Sequence, residues 1–226
     1  MDFKLTINNM QESYLEKEKQ YFSNVRKDII SFIDAGKDLS FLEIGAGTGA
    51  TLLELKNKGI AKKITGFDIV DVNQNKEKFE SFIIGNIEQD EIPFELNSFD
   101  SIILADVLEH LIEPHKTIQK LIPYLKKDGH FYISLPNVRN YVVFYKVFVK
   151  GSFEYTDEGI FDKTHIRFFC KRDMSNLIKQ IPELKLQKIE SNLRHLSSIK
   201  STFNKITFGL FEPFISTQYF LKVSKN

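Results

Sequence analysis

The chain has 226 residues, 42% of them hydrophobic and 27% charged, which is ordinary globular usage and excludes wholesale disorder. Its 31 Lys+Arg nearly cancel 30 Asp+Glu, a balance that disfavours attachment to nucleic acid through a global positive field. The single cysteine, Cys170, excludes an intrachain disulfide framework and any Cys-cluster zinc or iron–sulfur site.

In chain order, Met1, Asp2 and Lys4 lead into a polar stretch with no apolar signal-peptide core. Tyr14, Phe22, Val25 and Ile29 then recur at helical spacing and predict a helix over roughly Met10 to Ile33. Next come a strand at Leu39 to Ile44, a helix from Gly49 to Lys58 and a strand at Lys62 to Asp68. A polar stretch with Lys76 to Glu80 precedes a strand at Phe82 to Gly85. Ser101 to Ala105 reads as a buried strand and Val107 to Lys127 as helix. His130 to Leu135 is a fifth strand, stopped by Pro136. Alternation loosens between Asn137 and Lys171. A helix at Asp173 to Gln180 follows, with strand-like runs at Leu184–Ile189 and Gln218–Val223 and an insertion, Leu193 to Thr217, between them. Strands joined by helical crossovers predict a parallel sheet with helices on both faces. No uncharged apolar run reaches about 18 residues, so no transmembrane helix is expected, and the cytoplasm is the expected compartment.

The strongest local signal is Glu43-Ile44-Gly45-Ala46-Gly47-Thr48-Gly49-Ala50, closing the first strand. Alternate glycines permit a tight turn and close approach of a ligand, with the next helix's N-terminus aimed at it. Asp68, ending the second strand, is placed to accept the hydroxyls of a ribose. Gly45, Gly47 and Ala50 also fit a dinucleotide fingerprint, which keeps an NAD-type dehydrogenase in play. Glu43 discriminates between the two: beside the first glycine it would repel a pyrophosphate but suits a cofactor carrying ammonium and sulfonium charge.

This run resembles the first motif of class I S-adenosylmethionine-dependent methyltransferases. Gly66-Phe67-Asp68 resembles their second motif and Gly85-Asn86-Ile87-Glu88 the segment bordering adenine. Phe99 to Leu111, with Asp106, Glu109 and His110, resembles the fourth-strand motif, and Leu125 to Asn137 the turn into the fifth strand. The resemblance covers residues 39–138. It implies an α/β, Rossmann-like doubly wound seven-stranded sheet, mostly parallel with an antiparallel C-terminal strand and helices on both faces. It also implies one domain over 1–226: an N-terminal helical cap (1–38), a cofactor-binding core (39–138) and acceptor-side elements (139–226) with an insertion at 193–217.

Carried onto this chain, the resemblance implies S-adenosylmethionine as cofactor. Glu43, Gly45 and Gly47 would surround its methionine part, with Ala46 and Gly49 in the same binding set. Asp68 would hold the ribose, Asn86 and Ile87 would flank the adenine, and Asp106 would lie near the sulfonium. Asn86 stands where many relatives carry Asp; its carbonyl oxygen still faces an amino group.

Asp106, Glu109 and His110 stand at i, i+3 and i+4 and share a helical face, with His165 as a distant fourth ligand type. Small-RNA 2′-O-methyltransferases and some quinone-type O-methyltransferases carry a similar arrangement around a metal. Acidic residues also favour a helix's first turn for dipole reasons, and no metal is expected on balance. His110 and His165 are the candidate general bases, each equally open to a structural role.

Acceptor recognition is expected in the second half. Gly159 to Phe169 resembles a phrase of methyltransferases of bacterial surface-polysaccharide synthesis, and Asp162, His165 and Arg167 are its candidate sugar or phosphate contacts. A loop packed by its own phenylalanines is the alternative. Asn140 to Phe153 is nearly all apolar, and either a membrane-interface segment or a buried lid helix fits it. The insertion, with Phe203, Phe208, Phe211 and Phe214, has the same two readings.

Residues 1–133 hold 16 Lys+Arg against 22 Asp+Glu, and residues 134–226 hold 15 against 8. That asymmetry points to an anionic acceptor met by the second half. The expected activity is therefore O-methylation of a sugar, glycan precursor or other small acceptor, with peripheral membrane contact open, nucleic acid disfavoured and the oligomeric state unread. The alternatives are a metal-dependent RNA 2′-O-methyltransferase and a non-catalytic cofactor-fold binding protein.

Overall fold

The computed structural model describes residues 24–34, 36–194 and 199–226. The helix expected from Met10 falls mostly outside them; its described end is α1 (Lys27–Phe32). The core follows as β1 (Leu39–Ile44), α2 (Ala50–Asn57), β2 (Ala61–Asp68), β3 (Ser81–Ile84), β4 (Phe99–Ala105), α3 (Pro114–Leu121) and β5 (Leu125–Pro136). The second half adds α4 (Tyr141–Phe144), α5 (Lys171–Lys179), β6 (Leu184–Ser191), α6 (Ile199–Ile206), α7 (Glu212–Ile215) and β7 (Gln218–Lys225).

The seven strands form one sheet in the order β3-β2-β1-β4-β5-β7-β6. β1 to β5 run parallel, and β7 lies antiparallel between β5 and β6. Alternate side chains feed two cores. Leu42, Ile102, Phe131 and Leu221 point to one face and pack with α3 and α5 residues such as Ile118, Met174 and Ile178. Phe41, Ile103, Tyr132 and Phe220 point to the other, against Ile29 and Phe32 of α1 and Leu52 and Leu55 of α2. Each of these large side chains stabilises the fold by about 1.5–3 kcal/mol through burial. Strand order reverses between β1 and β4, so a crevice opens at their carboxyl ends.

Two expected elements differ. The helix expected over Val107 to Lys127 is broken: a 3-10 turn, Leu108–His110, precedes α3, whose first residue is Pro114. A second 3-10 turn, Ile122–Tyr124, ends the helix, and Leu125 already pairs with Phe99. Proline suits a helix's first position and not its interior, which explains both breaks. The β2–β3 connection holds only a 3-10 turn, Lys76–Lys78.

Candidate functional site

The crevice is a cleft of about 500 Å³, lined from β1 through β7. That volume suits a nucleoside-sized ligand and a small second molecule. Its floor is the turn after β1. Gly45, Gly47 and Gly49 hold φ of +70°, +54° and +75°, and Gly45 N–H donates to Phe67 O at 2.8 Å. A Cβ at Gly45 would sit 2.8 Å from Val107 Cγ2, and one at Gly49 would collide with the Phe79 ring. Any side chain there is both strained and obstructed.

Glu43, at the end of β1, is 3% exposed, and its Oε2 has no hydrogen-bond partner. Burial and the neighbouring Asp68 raise its pKa to about 8, against the pull of Arg26. Asp68 Oδ2 accepts Gly47 N–H at 2.6 Å and Oδ1 accepts Val70 N–H at 2.9 Å. Burial pushes the Asp68 carboxyl up, and those N–H donors pull it down. Asn86 and Ile87 line the cleft beyond β3, and the Asn86 carbonyl oxygen caps its own turn through Glu88 N–H at 2.9 Å. That carbonyl keeps a second lone pair for a ligand.

Asp106, with φ +55°, is held over the cleft. Its Oδ2 accepts Arg26 Nη1 at 2.5 Å, and its Oδ1 accepts Ser134 Oγ at 3.0 Å and Gln218 Nε2. Arg26 itself also binds Asp28 at 3.0 Å, and although burial opposes its charge, Asp106 and Asp28 raise its pKa. Sequence reasoning missed Arg26, the only Lys or Arg lining the cleft among the described residues.

The opposite wall gathers three predicted residues. The loop 160–167 is tied to the Leu108–His110 turn, because Ile166 and Arg167 N–H both donate to Glu109 O, at 3.0 and 2.9 Å. His110 and His165 then meet with ring centroids 4.7 Å apart. Their Nδ1 atoms lie 3.1 Å from Thr164 O and 3.3 Å from Ile160 O. Carbonyl oxygens only accept, so each Nδ1 carries the proton and a neutral ring leaves a lone pair on Nε2. His165 Nε2 faces Glu109 Oε1 at 3.9 Å. Both Glu109 oxygens are buried without a hydrogen-bond partner, and burial followed by Asp106 raises this carboxyl well above its ordinary value. One ligand-type atom from each of Glu109, His110 and His165 falls within 4.8 Å of the others. Asp106, the first of the three residues that the sequence places on one helical face, is engaged by Arg26 instead.

Asp162 also lines the cleft, 1% exposed, with Oδ1 accepting Thr164 N–H at 2.8 Å and Oγ1 at 2.6 Å. Arg167 does not line it: its guanidinium donates to Ile112 O at 2.5 Å. Among the described residues, seven carboxylates line the cleft (Glu43, Asp68, Glu88, Asp106, Glu109, Glu158 and Asp162) against one arginine. The excess positive charge of the second half therefore lies outside it.

A family model described as a methyltransferase domain matches residues 14–181. No curated protein matches the chain. Among solved structures, a SAM dependent methyltransferase from Archaeoglobus fulgidus is 16% identical with TM-score 0.58, covering 100% of each chain. One from Aquifex aeolicus is 13% identical with TM-score 0.58, covering 97% of this chain and 98% of its own. The [4+2]-cyclase SpnF is 14% identical with TM-score 0.59, covering 92% of this chain and 80% of its own. At such identities the likeness is one of fold.

Proposed function

The chain belongs to the methyltransferase-domain family and is an S-adenosylmethionine-dependent methyltransferase, and we propose that it methylates a hydroxyl of a sugar or glycan precursor. The residues at the glycine turn fit the cofactor. Glu43 is a buried carboxyl whose Oε2 lacks a hydrogen-bond partner, which suits a cationic group, and the turn leaves backbone where a Cβ would obstruct. Glu43 with Gly45, Ala46, Gly47 and Gly49 would hold the methionine end, Arg26 its carboxylate, Asp68 the ribose, and Asn86 with Ile87 the adenine. When bound, the cofactor supplies an activated methyl group.

The observation that carries the acceptor reading is the histidine pair. Both rings are oriented by a backbone carbonyl at Nδ1, and Glu109 stands behind His165 to share a proton that it gains. Either imidazole takes the acceptor hydroxyl's proton while the cleft wall aligns that oxygen. Asp162 and Glu158 add carboxylates that accept sugar hydroxyls, which suits a neutral polyhydroxylated head better than a phosphate.

The test is transfer of labelled methyl to a panel of nucleotide sugars and lipid-linked sugars, beside the matching amino sugars. Transfer to hydroxyl is expected, with His165→Ala and His110→Ala tested separately and at least one costing about 10²–10⁴-fold in kcat at unchanged cofactor affinity. Transfer to nitrogen alone, indifferent to both histidines, would overturn it. The converging Glu109, His110 and His165 also favour a second reading, a divalent cation that orients the acceptor. Chelator treatment separates the two: retained activity supports the base, whereas loss restored by Mg²⁺ or Mn²⁺ supports the cation.

A further inference from the structure

We infer that the face beside the cleft mouth docks on an anionic lipid bilayer and thereby presents a lipid-anchored acceptor to the site. This rests on the proposed acceptor class. α4 continues as a π-helical turn, Tyr145–Val149, and neither has a buried residue. Along them Phe144 is 57%, Phe148 74% and Val149 62% exposed, an apolar stripe turned to water rather than to the core. α6 does the same with Ile199 and Ile206, and Phe208 just beyond it is 99% exposed.

The two stripes are neighbours. Lys200 Nζ lies 5.1 Å from the centre of the Tyr141 ring, and Asn140 Nδ2 donates to Ser216 O at 2.9 Å. Together they set several strongly exposed large apolar side chains side by side, the kind of patch that marks an interaction surface. The buried-lid reading of residues 140–153 does not describe this arrangement.

Charge identifies the occupant. Residues 139–153 and 199–211 contain Arg139, Lys146, Lys150, Lys200 and Lys205 and no acidic residue. Four of these sit on aromatic rings, Arg139 on Phe214, Lys146 on Phe161, Lys150 on Tyr145 and Lys200 on Tyr141. Lysine is depleted from the core of protein–protein interfaces, whereas phenylalanine and tyrosine among lysines match the headgroup boundary of an anionic membrane. No described helix is long and apolar enough to cross a membrane, so the contact lies in the interface plane. Glu158 to Ile160 and Thr217 to Gln218, which line the cleft, follow the two segments after four and five intervening residues, Glu154, Asp157 and Glu212 among them. The bilayer surface and the acceptor entrance would therefore be contiguous.

The experiment is flotation of the full chain with phosphatidylglycerol vesicles and with phosphatidylcholine vesicles, for wild type and for the Phe148→Glu/Phe208→Glu double variant. Neither phenylalanine belongs to the cleft. Binding is expected to the anionic vesicles, weakened by salt and reduced at least about tenfold in the variant. Titration with S-adenosylmethionine is expected to be unchanged in the variant, which shows it folded and separates failure here from failure of the methyltransferase reading. Absence of vesicle binding would overturn the inference, as would a wild-type dimer in light scattering that the variant dissolves.

Discussion

At the residue scale, Glu43 is the most consequential side chain of the cleft, because its carboxyl is buried and its pKa stands at about 8 against an ordinary 4.5. Between those two values the folded protein keeps a proton that the unfolded chain has released, so ligand-free stability falls as pH rises through this window. A cationic ligand reverses the preference and expels the proton. S-adenosylmethionine affinity should therefore rise about tenfold per pH unit from pH 6 and level off near 8. Titration calorimetry in buffers of different ionisation enthalpy would read the released proton, and Glu43→Gln should bind weakly with little slope. A flat wild-type profile, or an unchanged slope in Glu43→Gln, refutes this. Sequence reasoning reached Glu43 through charge repulsion alone, because its position before Gly45 was visible. Arg26 was not, because nothing in a basic residue on a helical stretch says that the sheet's edge will bring Asp106 to it. Glu109 was seen only as a metal ligand type. Its isolation behind His165 depends on a loop more than 50 residues away.

At the element scale, the legible parts were those whose pattern is local. The strands of the parallel half follow apolar runs ended by Gly, Asp or Pro, and their observed bounds differ from the expected ones mainly at β5. The insertion was less legible, because its α6 and α7 turn apolar side chains outward, against the usual meaning of a phenylalanine stripe. Two buried asparagines just past β5, Asn137 and Asn140, tie it down. Asn137, fully buried, donates through Nδ2 to Pro213 O at 2.8 Å and Ser216 O at 2.9 Å, while its N–H donates to Thr217 O at 2.9 Å. Asn137→Ala would leave Pro213 O short of its donor inside the protein, while Ser216 O keeps Asn140 Nδ2. Urea denaturation should show a loss of about 1–3 kcal/mol at an unchanged slope. A stability within about 0.3 kcal/mol of wild type would mean that Pro213 O finds another donor.

At the scale of the whole molecule, the near-zero net charge divides into an acidic cleft and a basic exterior face, which composition alone could not separate. The expectation of an anionic acceptor came from that composition. The structure relocates the cations: Arg167 reaches Ile112 and Lys163 lies 3.2 Å from Asp157, while Lys146, Lys150, Lys200 and Lys205 belong to the segments that carry the apolar face. The cleft itself is assembled from nearly the full length of the chain, Arg26 before the first strand, Glu43, Asp68 and Asp106 at strand ends, and Gln218 opening the last. A ligand that fills it binds only the folded sheet, so binding must stabilise the entire domain. At a concentration about 100 times its dissociation constant this linkage supplies about 2.7 kcal/mol. For a domain of this size that corresponds to a rise of about 5–10 °C in Tm. S-adenosylmethionine should produce such a shift in differential scanning fluorimetry. NAD should not, because its pyrophosphate would face the Glu43 and Asp68 carboxylates at the glycine turn. An equal shift with NAD would show that the acidic lining does not select the cofactor, and would return the glycine turn to its dinucleotide reading.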